Sequence, residues 1–216
     1  MKVFLLGATG KTGEEILKNL LKEGHQVKIL VRDPSKLNPD DFAGNADGKL
    51  EVAKGGIFDL ESLKSQMKGS DLVISSLGTG TSNTYTAVYS EGGRNILNAM
   101  RELGIDRLTT ITSGLIDMSD PSTDNFFLNR IIRPNYNKVY YDQTRWETIL
   151  DDTKDIKWTC VRPSYLSDGK ATGKYRVQLN HCPQGGRKIS RKDLADFIVN
   201  QMNSEEYVFQ KPVLAY

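Results

Sequence analysis

The chain has 216 residues, 38% of them hydrophobic and 26% charged, enough for one well-buried α/β domain, short for two, and without a disorder signature. A formal net charge of +2, with basic residues spread along the whole sequence, leaves no nucleic-acid footprint, and no apolar run approaches the length of a membrane span. Two distant cysteines, Cys160 and Cys182, without a CxxC pair, argue against a disulfide scaffold or a structural zinc site and fit a reducing cytoplasm.

The first apolar run, residues 3–6, is cut by Gly7, which is too soon for a signal peptide. A soluble, cytoplasmic protein is expected. Further strand-like runs follow at residues 27–31, 50–53, 72–77, 108–112 and 158–161, rich in Val, Ile and Leu as strands covered on both faces should be. Between the first two, Ile16, Leu17, Leu20 and Leu21 recur at helical spacing, and Gly24 supplies the stop. Later helices are predicted over residues 60–67, 85–103, 140–150 and 191–202, the last preceded by Ser190, a good N-cap.

This alternation predicts one α/β domain over residues 1–216: a Rossmann-type, doubly wound parallel sheet with helices on both faces. Residues 117–137, which contain Pro121 and Pro134, break the rhythm. So do residues 163–186, with four glycines and an isolated strand over 175–179. Both leave from strand C-terminal ends, where open α/β sheets bind ligands, so they are expected to be substrate-side loops, at about 115–137 and 163–187.

Residues 7–13 read Gly-Ala-Thr-Gly-Lys-Thr-Gly between a strand and a helix, the context that a dinucleotide loop requires. The chemistry needs backbone without side chains: Gly7, Gly10 and Gly13 allow a tight turn, close approach of a pyrophosphate and close helix–strand packing. The helix N-terminus then offers N–H groups and a positive dipole end to the phosphates. A nucleoside-triphosphate loop does not fit, because no glycine stands five residues before Gly10.

An NAD site wants a carboxylate at the end of the second strand, for the ribose hydroxyls. Arg32 stands there instead, with Lys36 one short turn later. A guanidinium suits a 2′-phosphate, so NADP(H) is expected. Asp33 turned inward would permit NAD(H), and Lys36 could equally be a solvated surface charge.

The motifs GATGKTG, VRDPSKL, SLGTG, ITSGLI and VRPSYLSDGKATGKYRV, in this order, resemble the NmrA-like group of atypical short-chain dehydrogenases. Within that group the nearest likeness is to the biliverdin reductase B, or flavin reductase, type, and it runs nearly end to end. The resemblance implies NADPH-dependent reduction of flavins, and in the nearest members of tetrapyrroles, without a tightly bound metal. Carried over by position, Thr9, Gly10, Lys11 and Thr12 would hold the pyrophosphate, and Arg32 and Lys36 the 2′-phosphate. Leu77, Gly78 and Thr79 would run under the adenosine and ribose. Ser113 would stand beside the nicotinamide and the substrate.

Three departures stand out. A GD pair after the third strand is here Gly55-Gly56, which leaves the adenine contact to backbone around Ile57. The reductase's PPH segment is here Pro163-Ser164-Tyr165. Tyr165 can hydrogen-bond or stack, but it cannot be the same proton donor as that segment's histidine near neutral pH, which puts tetrapyrrole reduction in more doubt than flavin reduction. The Tyr-x-x-x-Lys pair of orthodox short-chain enzymes is matched only by Tyr141 and Arg145, and an ordinary amphipathic helix explains those better.

Hydride transfer to a flavin needs little general acid, because the ring delocalises the charge. The expectation is therefore an NAD(P)H-dependent oxidoreductase of the flavin-reductase kind, with Ser113 and Tyr165 as its catalytic residues. Tyr165, Phe126 and Phe127 are possible stacking surfaces or plain packing residues. His25 reads as structural, and His181 with Cys182 supplies too few ligands for a metal. The alternatives are a non-catalytic NAD(P) sensor and, with less support, a sugar-nucleotide epimerase or dehydratase. A small planar acceptor is the expected partner, with no nucleic acid or membrane, on a monomer or weak homo-oligomer.

Overall fold

The computed structural model describes residues 1–37, 48–80, 82–121 and 128–216. Its elements are β1 (Lys2–Leu6), α1 (Lys11–Lys22), β2 (Gln26–Val31), β3 (Leu50–Lys54), α2 (Leu60–Met67), β4 (Leu72–Ser75), α3 (Ser90–Leu103), β5 (Arg107–Ile111), α4 (Arg133–Asp152), β6 (Lys157–Pro163), β7 (Tyr165–Ser167), β8 (Arg176–Leu179), β9 (Lys188–Ser190), α5 (Arg191–Gln201) and β10 (Pro212–Ala215). Eight strands form one sheet in the order β3-β2-β1-β4-β5-β6-β10-β8. Every neighbouring pair is parallel except the last, where β8 runs antiparallel to β10. The fold is Rossmann-like α/β. β7 and β9 pair in a separate two-stranded ribbon.

Strand periodicity sorts the core onto two faces. Val3, Leu5, Val27, Ile29 and Val31 point to one side, where they pack on Ile16, Leu17 and Leu20 of α1 and on Leu194 and Ile198 of α5. Phe4, Leu6, Leu30 and Val73 point to the other side, against Leu63 of α2, Ile96 and Met100 of α3, and Trp146 and Leu150 of α4. Each fully buried Leu or Ile contributes about 1.5–3 kcal/mol relative to exposure. Near-continuous apolar runs are therefore what a sheet covered on both faces requires.

All six expected core strands are present, and α2 spans the predicted residues. The expected strand at 72–77 stops at Ser75, because Ser76 turns to meet the phosphate loop: its N–H and its hydroxyl both donate to the Leu6 carbonyl, at 3.0 and 2.9 Å. The helix predicted over 85–103 begins at Ser90. Its N-cap, Tyr89, has no side-chain cap of its own. Asp142, buried on α4, does that work from another element, accepting the N–H groups of Tyr89 (2.9 Å) and Ser90 (3.3 Å) and the Ser90 hydroxyl.

The helix predicted over 140–150 is longer than expected, so the first substrate-side loop is shorter than residues 117–137. A π turn, Leu128–Ile132, leads into α4, and Pro134 stands in the first α-helical turn, where a missing N–H costs little. The strands β7, β9 and β10 have no counterpart among the predicted elements, being only three or four residues long. Among the described residues no helix is long and apolar enough to cross a membrane.

Helices α3 and α4 meet through Gly93, where a Cβ would lie 2.5 Å from Trp146 Cε3. Gly93→Ala must displace a fully buried indole whose Nε1–H donates to Thr110 at 3.2 Å. The expected outcome is a destabilisation of about 1–3 kcal/mol, read as a lower urea midpoint with unchanged m-value.

Candidate functional site

Chain order reverses direction across the sheet between β1 and β4, and the loops that follow these two strands meet there. Gly7 adopts φ +82°, and a Cβ on it would lie 2.5 Å from the Ser76 carbonyl oxygen. A Cβ on Gly13 would sit on the Gly7 carbonyl oxygen and 2.6 Å from Ser76 Oγ. Gly10 caps α1 with no side chain to fill the space before the helix, and the Glu14 N–H closes on its carbonyl at 2.8 Å. The first N–H groups of α1 are thus left to an external acceptor, at the positive end of the helix dipole. Thr9 and Gly10 are exposed and Thr12 is half-buried. This cradle fits a pyrophosphate.

Lys11 is placed differently from a simple phosphate ligand. Its ammonium lies 2.7 Å from Asp168 Oδ2, in the segment after β7, and Arg191 at the start of α5 holds the other oxygen of the same carboxylate. Together with Glu14, Glu15 and Lys192 these residues line a cavity of about 230 Å³ beside the phosphate loop. The Lys11 N–H stays in the cradle, while its charge is turned away toward the late segment.

At the end of β2, Arg32 and Lys36 are both exposed, and neither forms an ion pair among the described residues. Asp33 Oδ1 accepts the Ser35 hydroxyl (2.7 Å) and N–H (3.1 Å), capping the short 3-10 turn Pro34–Lys36. These bonds from Ser35 hold its carboxyl below the ordinary value. One oxygen of the carboxylate that could have faced a ribose is therefore engaged in its own turn.

Past β4, Leu77 and Thr79 are half-buried and Gly78 is exposed. Thr79 Oγ1 donates to the Ser82 carbonyl at 3.2 Å, and a Cβ on Gly78 would come 3.4 Å from the Tyr89 hydroxyl. The Ile57 side chain is buried against Gly92, and its carbonyl accepts from Asn95 at 2.9 Å. The Asn95 amide thus occupies one lone pair of the Ile57 carbonyl.

Ser113 lies two residues beyond β5 and caps the 3-10 turn Gly114–Ile116, its Oγ accepting the Leu115 N–H at 3.2 Å. With that lone pair used, its own O–H proton remains to be donated. The turn runs beside the end of β6, since a Cβ on Gly114 would lie 3.4 Å from the Pro163 carbonyl. Tyr165, next along, is 70% exposed. Tyr141 is 66% exposed, and Arg145 pairs instead with Glu91 on α3 at 3.3 Å. Phe126 and Phe127 lie outside the described residues. His181 Nε2 faces Ser119 Oγ (3.4 Å) and Asp117 Oδ2 (3.8 Å), whereas Cys182 Sγ donates to the Gly186 carbonyl (3.3 Å).

A protein-family model described as NAD(P)H-binding matches residues 7–205. The chain belongs to this NAD(P)H-binding family. The match begins at Gly7 and so takes in the whole phosphate cradle. YwnB, an uncharacterized protein of Bacillus subtilis (strain 168), is 26% identical over 213 residues, which cover 96% of this chain and 94% of YwnB. Among solved structures, ChuY, an anaerobillin reductase from Escherichia coli O157:H7, matches with a TM-score of 0.80 at 24% identity, over 100% of this chain and 97% of its own. A short-chain dehydrogenase/reductase of Veillonella parvula in complex with NADP matches with a TM-score of 0.79 at 12% identity, over 100% and 94% of the two chains. At these identities the solved structures attest the shared fold of the NAD(P)H-binding family.

Asp193 had no part in the motif-based expectations, yet it anchors the late segment. Buried on α5, it accepts the N–H groups of Thr172 (3.0 Å) and Gly173 (2.9 Å), the Thr172 hydroxyl (3.0 Å) and the Tyr216 hydroxyl. A sequence signal existed only for its bond with the N-cap Ser190, whose Oγ accepts the Asp193 N–H at 3.0 Å. Burial raises this carboxyl, but the bonds from Tyr216, Gly173 and Thr172 outweigh it and hold it below the ordinary 3.8. A depressed carboxylate stabilises fully above its unfolded value, and that stability is lost as pH falls through the folded value. Asp193→Asn should therefore cost stability at pH 7, and the gap from wild type should narrow below about pH 4. Thermal melts from pH 3 to pH 7 test this, and a gap independent of pH would refute it.

Proposed function

We propose that this chain is an NADPH-dependent reductase that passes hydride to a flavin or a similar planar acceptor. The observation that carries the cofactor half is the end of β2: Arg32 is exposed and unpaired among the described residues, while Asp33 is tied into its own turn by Ser35. A planar guanidinium there can grip a 2′-phosphate with paired charge-assisted bonds, and Lys36 adds a second positive charge nearby. The Gly7–Gly13 cradle would hold the pyrophosphate through N–H groups at the start of α1.

The acceptor half rests on Ser113 and on the missing proton relay. Bound NADPH supplies the hydride. Ser113 would donate its hydroxyl proton as a hydrogen bond to an electronegative atom of the ligand, orienting it without giving up the proton. Tyr165, exposed beside the same strand ends, offers an aromatic face for a planar ring. Tyr141 faces solvent and Arg145 pairs with Glu91, so among the described residues no Tyr/Lys pair stands ready to protonate an alkoxide. That arrangement suits an acceptor that delocalises the incoming charge. ChuY, which shares the fold, is named as an anaerobillin reductase, and that agrees with a reductase reading.

Arg32→Ala should weaken NADPH by about 10- to 100-fold, the worth of a charge-assisted pair, and NADH by less than about twofold. Equal losses would refute the 2′-phosphate assignment. NADPH oxidation with FMN should run well above the enzyme-free rate and fall about tenfold in Ser113→Ala. Tight NADPH binding without turnover on any flavin or quinone would instead mark a nucleotide sensor.

A further inference from the structure

Directly behind Ser113 lies a buried charged network that the cofactor assignment does not use. Glu147 on α4 is 4% exposed and Arg162 on β6 is 7% exposed. Arg162 Nε donates to Glu147 Oε1 at 3.0 Å, and its Nη2 pairs with Oε2, a bidentate grip. The remaining guanidinium nitrogen reaches the Asn180 carbonyl (3.1 Å) and Asp117 Oδ2 (3.4 Å). On the other side, Thr112 Oγ1 donates to Glu147 Oε1 at 2.6 Å.

A buried ion pair adds little stability over apolar residues of the same volume, so stability alone does not account for this one. Its geometry does. Thr112 precedes Ser113 in the chain, and Asp117 closes the 3-10 turn that Ser113 begins. The pair therefore grips that turn at both ends, and through Asn180 it ties the turn to the segment after β8. Among the described residues, none of its partners lies on the phosphate loop or in the turn that directly follows β2.

We propose that the Glu147–Arg162 pair is the positioning element of the acceptor side, fixing the Ser113 turn from Thr112 to Asp117 for the ligand while leaving the dinucleotide cradle untouched. This rests on the reading that Ser113 faces the acceptor. It predicts a split that general destabilisation would not produce: variants in the network lose affinity for the acceptor and keep it for the dinucleotide.

The test titrates NADP⁺ into the purified protein, and then FMN into the NADP⁺-loaded protein, each followed by fluorescence. Glu147→Gln should raise the FMN Kd at least about tenfold and change the NADP⁺ Kd by less than about twofold. Because Glu147→Gln leaves Arg162 buried beside a neutral partner, Thr112→Val serves as the second variant. It keeps the ion pair, and should raise the FMN Kd about threefold, the worth of one hydrogen bond, while lowering the melting temperature by only a few degrees. Equal weakening of both ligands in Glu147→Gln, or no change for FMN in Thr112→Val, would overturn the proposal. A wild-type protein that binds FMN without oxidising NADPH would overturn the reductase reading alone, and one that does not bind FMN would overturn both.

Discussion

Much of this molecule follows from one steric constraint, the contact of the phosphate loop with the chain that leaves β4. The space between Gly7, Gly13 and the Ser76 backbone admits no Cβ. Ser76 answers by donating twice to the Leu6 carbonyl, which ends β4 and fastens it to the end of β1. With the two strands locked at this level, α1 starts close against β1 and its first N–H groups face the cleft. A side chain at Gly7 or Gly13 would push the helix back and open the cradle that a pyrophosphate needs.

From that fixed point the two ends of the cleft are built by different physics. The dinucleotide end is mostly backbone and exposed charge: N–H groups before α1, then Arg32 and Lys36 in solvent after β2. The far end is mostly buried side-chain hydrogen bonding. Asp142 caps α3 from α4, Glu147 and Arg162 hold the turn after β5, and Asp193 holds the segment after β7. Such groups are tolerated in the interior because each has several partners, as buried charge requires. The same burial pushes the Cys160 thiol well above its ordinary value, with the nearby Glu147 carboxylate adding to the effect. That thiol is therefore a packing group and not a nucleophile.

Lys11 links the two ends. Its charge is shared with Asp168 and Arg191 across the mouth of the cleft, so the phosphate loop and the late segment are joined by an exposed ion-pair cluster. Exposed pairs of this kind contribute little to stability and are screened by salt. Phosphates held at the start of α1 would draw on the same ammonium. The late segment is also held by Asp193 and by the pairing of β7 with β9.

How much was legible in advance depends on whether the signal was local. The sheet was legible because strands covered on both faces must be largely apolar, as β1, β4 and most of β2 are, while β3 at the sheet edge is mixed and mostly exposed. The phosphate loop was legible because glycine is the only residue that leaves the cradle open, and its placement after the first strand is a matter of chain order. The position of Arg32 directly after β2 was legible for the same reason. The start of α3 at Ser90, the partners of Arg145 and the grip of Glu147 on Thr112 were not legible. They depend on α4 lying across α3 and β6, and so on contacts between residues 35 to 54 positions apart. The sequence by itself thus determined the layered sheet and the glycine loop after β1, which need only periodicity and the absence of side chains. Tertiary structure alone decided which buried charges meet behind Ser113, because an ion pair is specified by two positions in space and not by either residue in the chain.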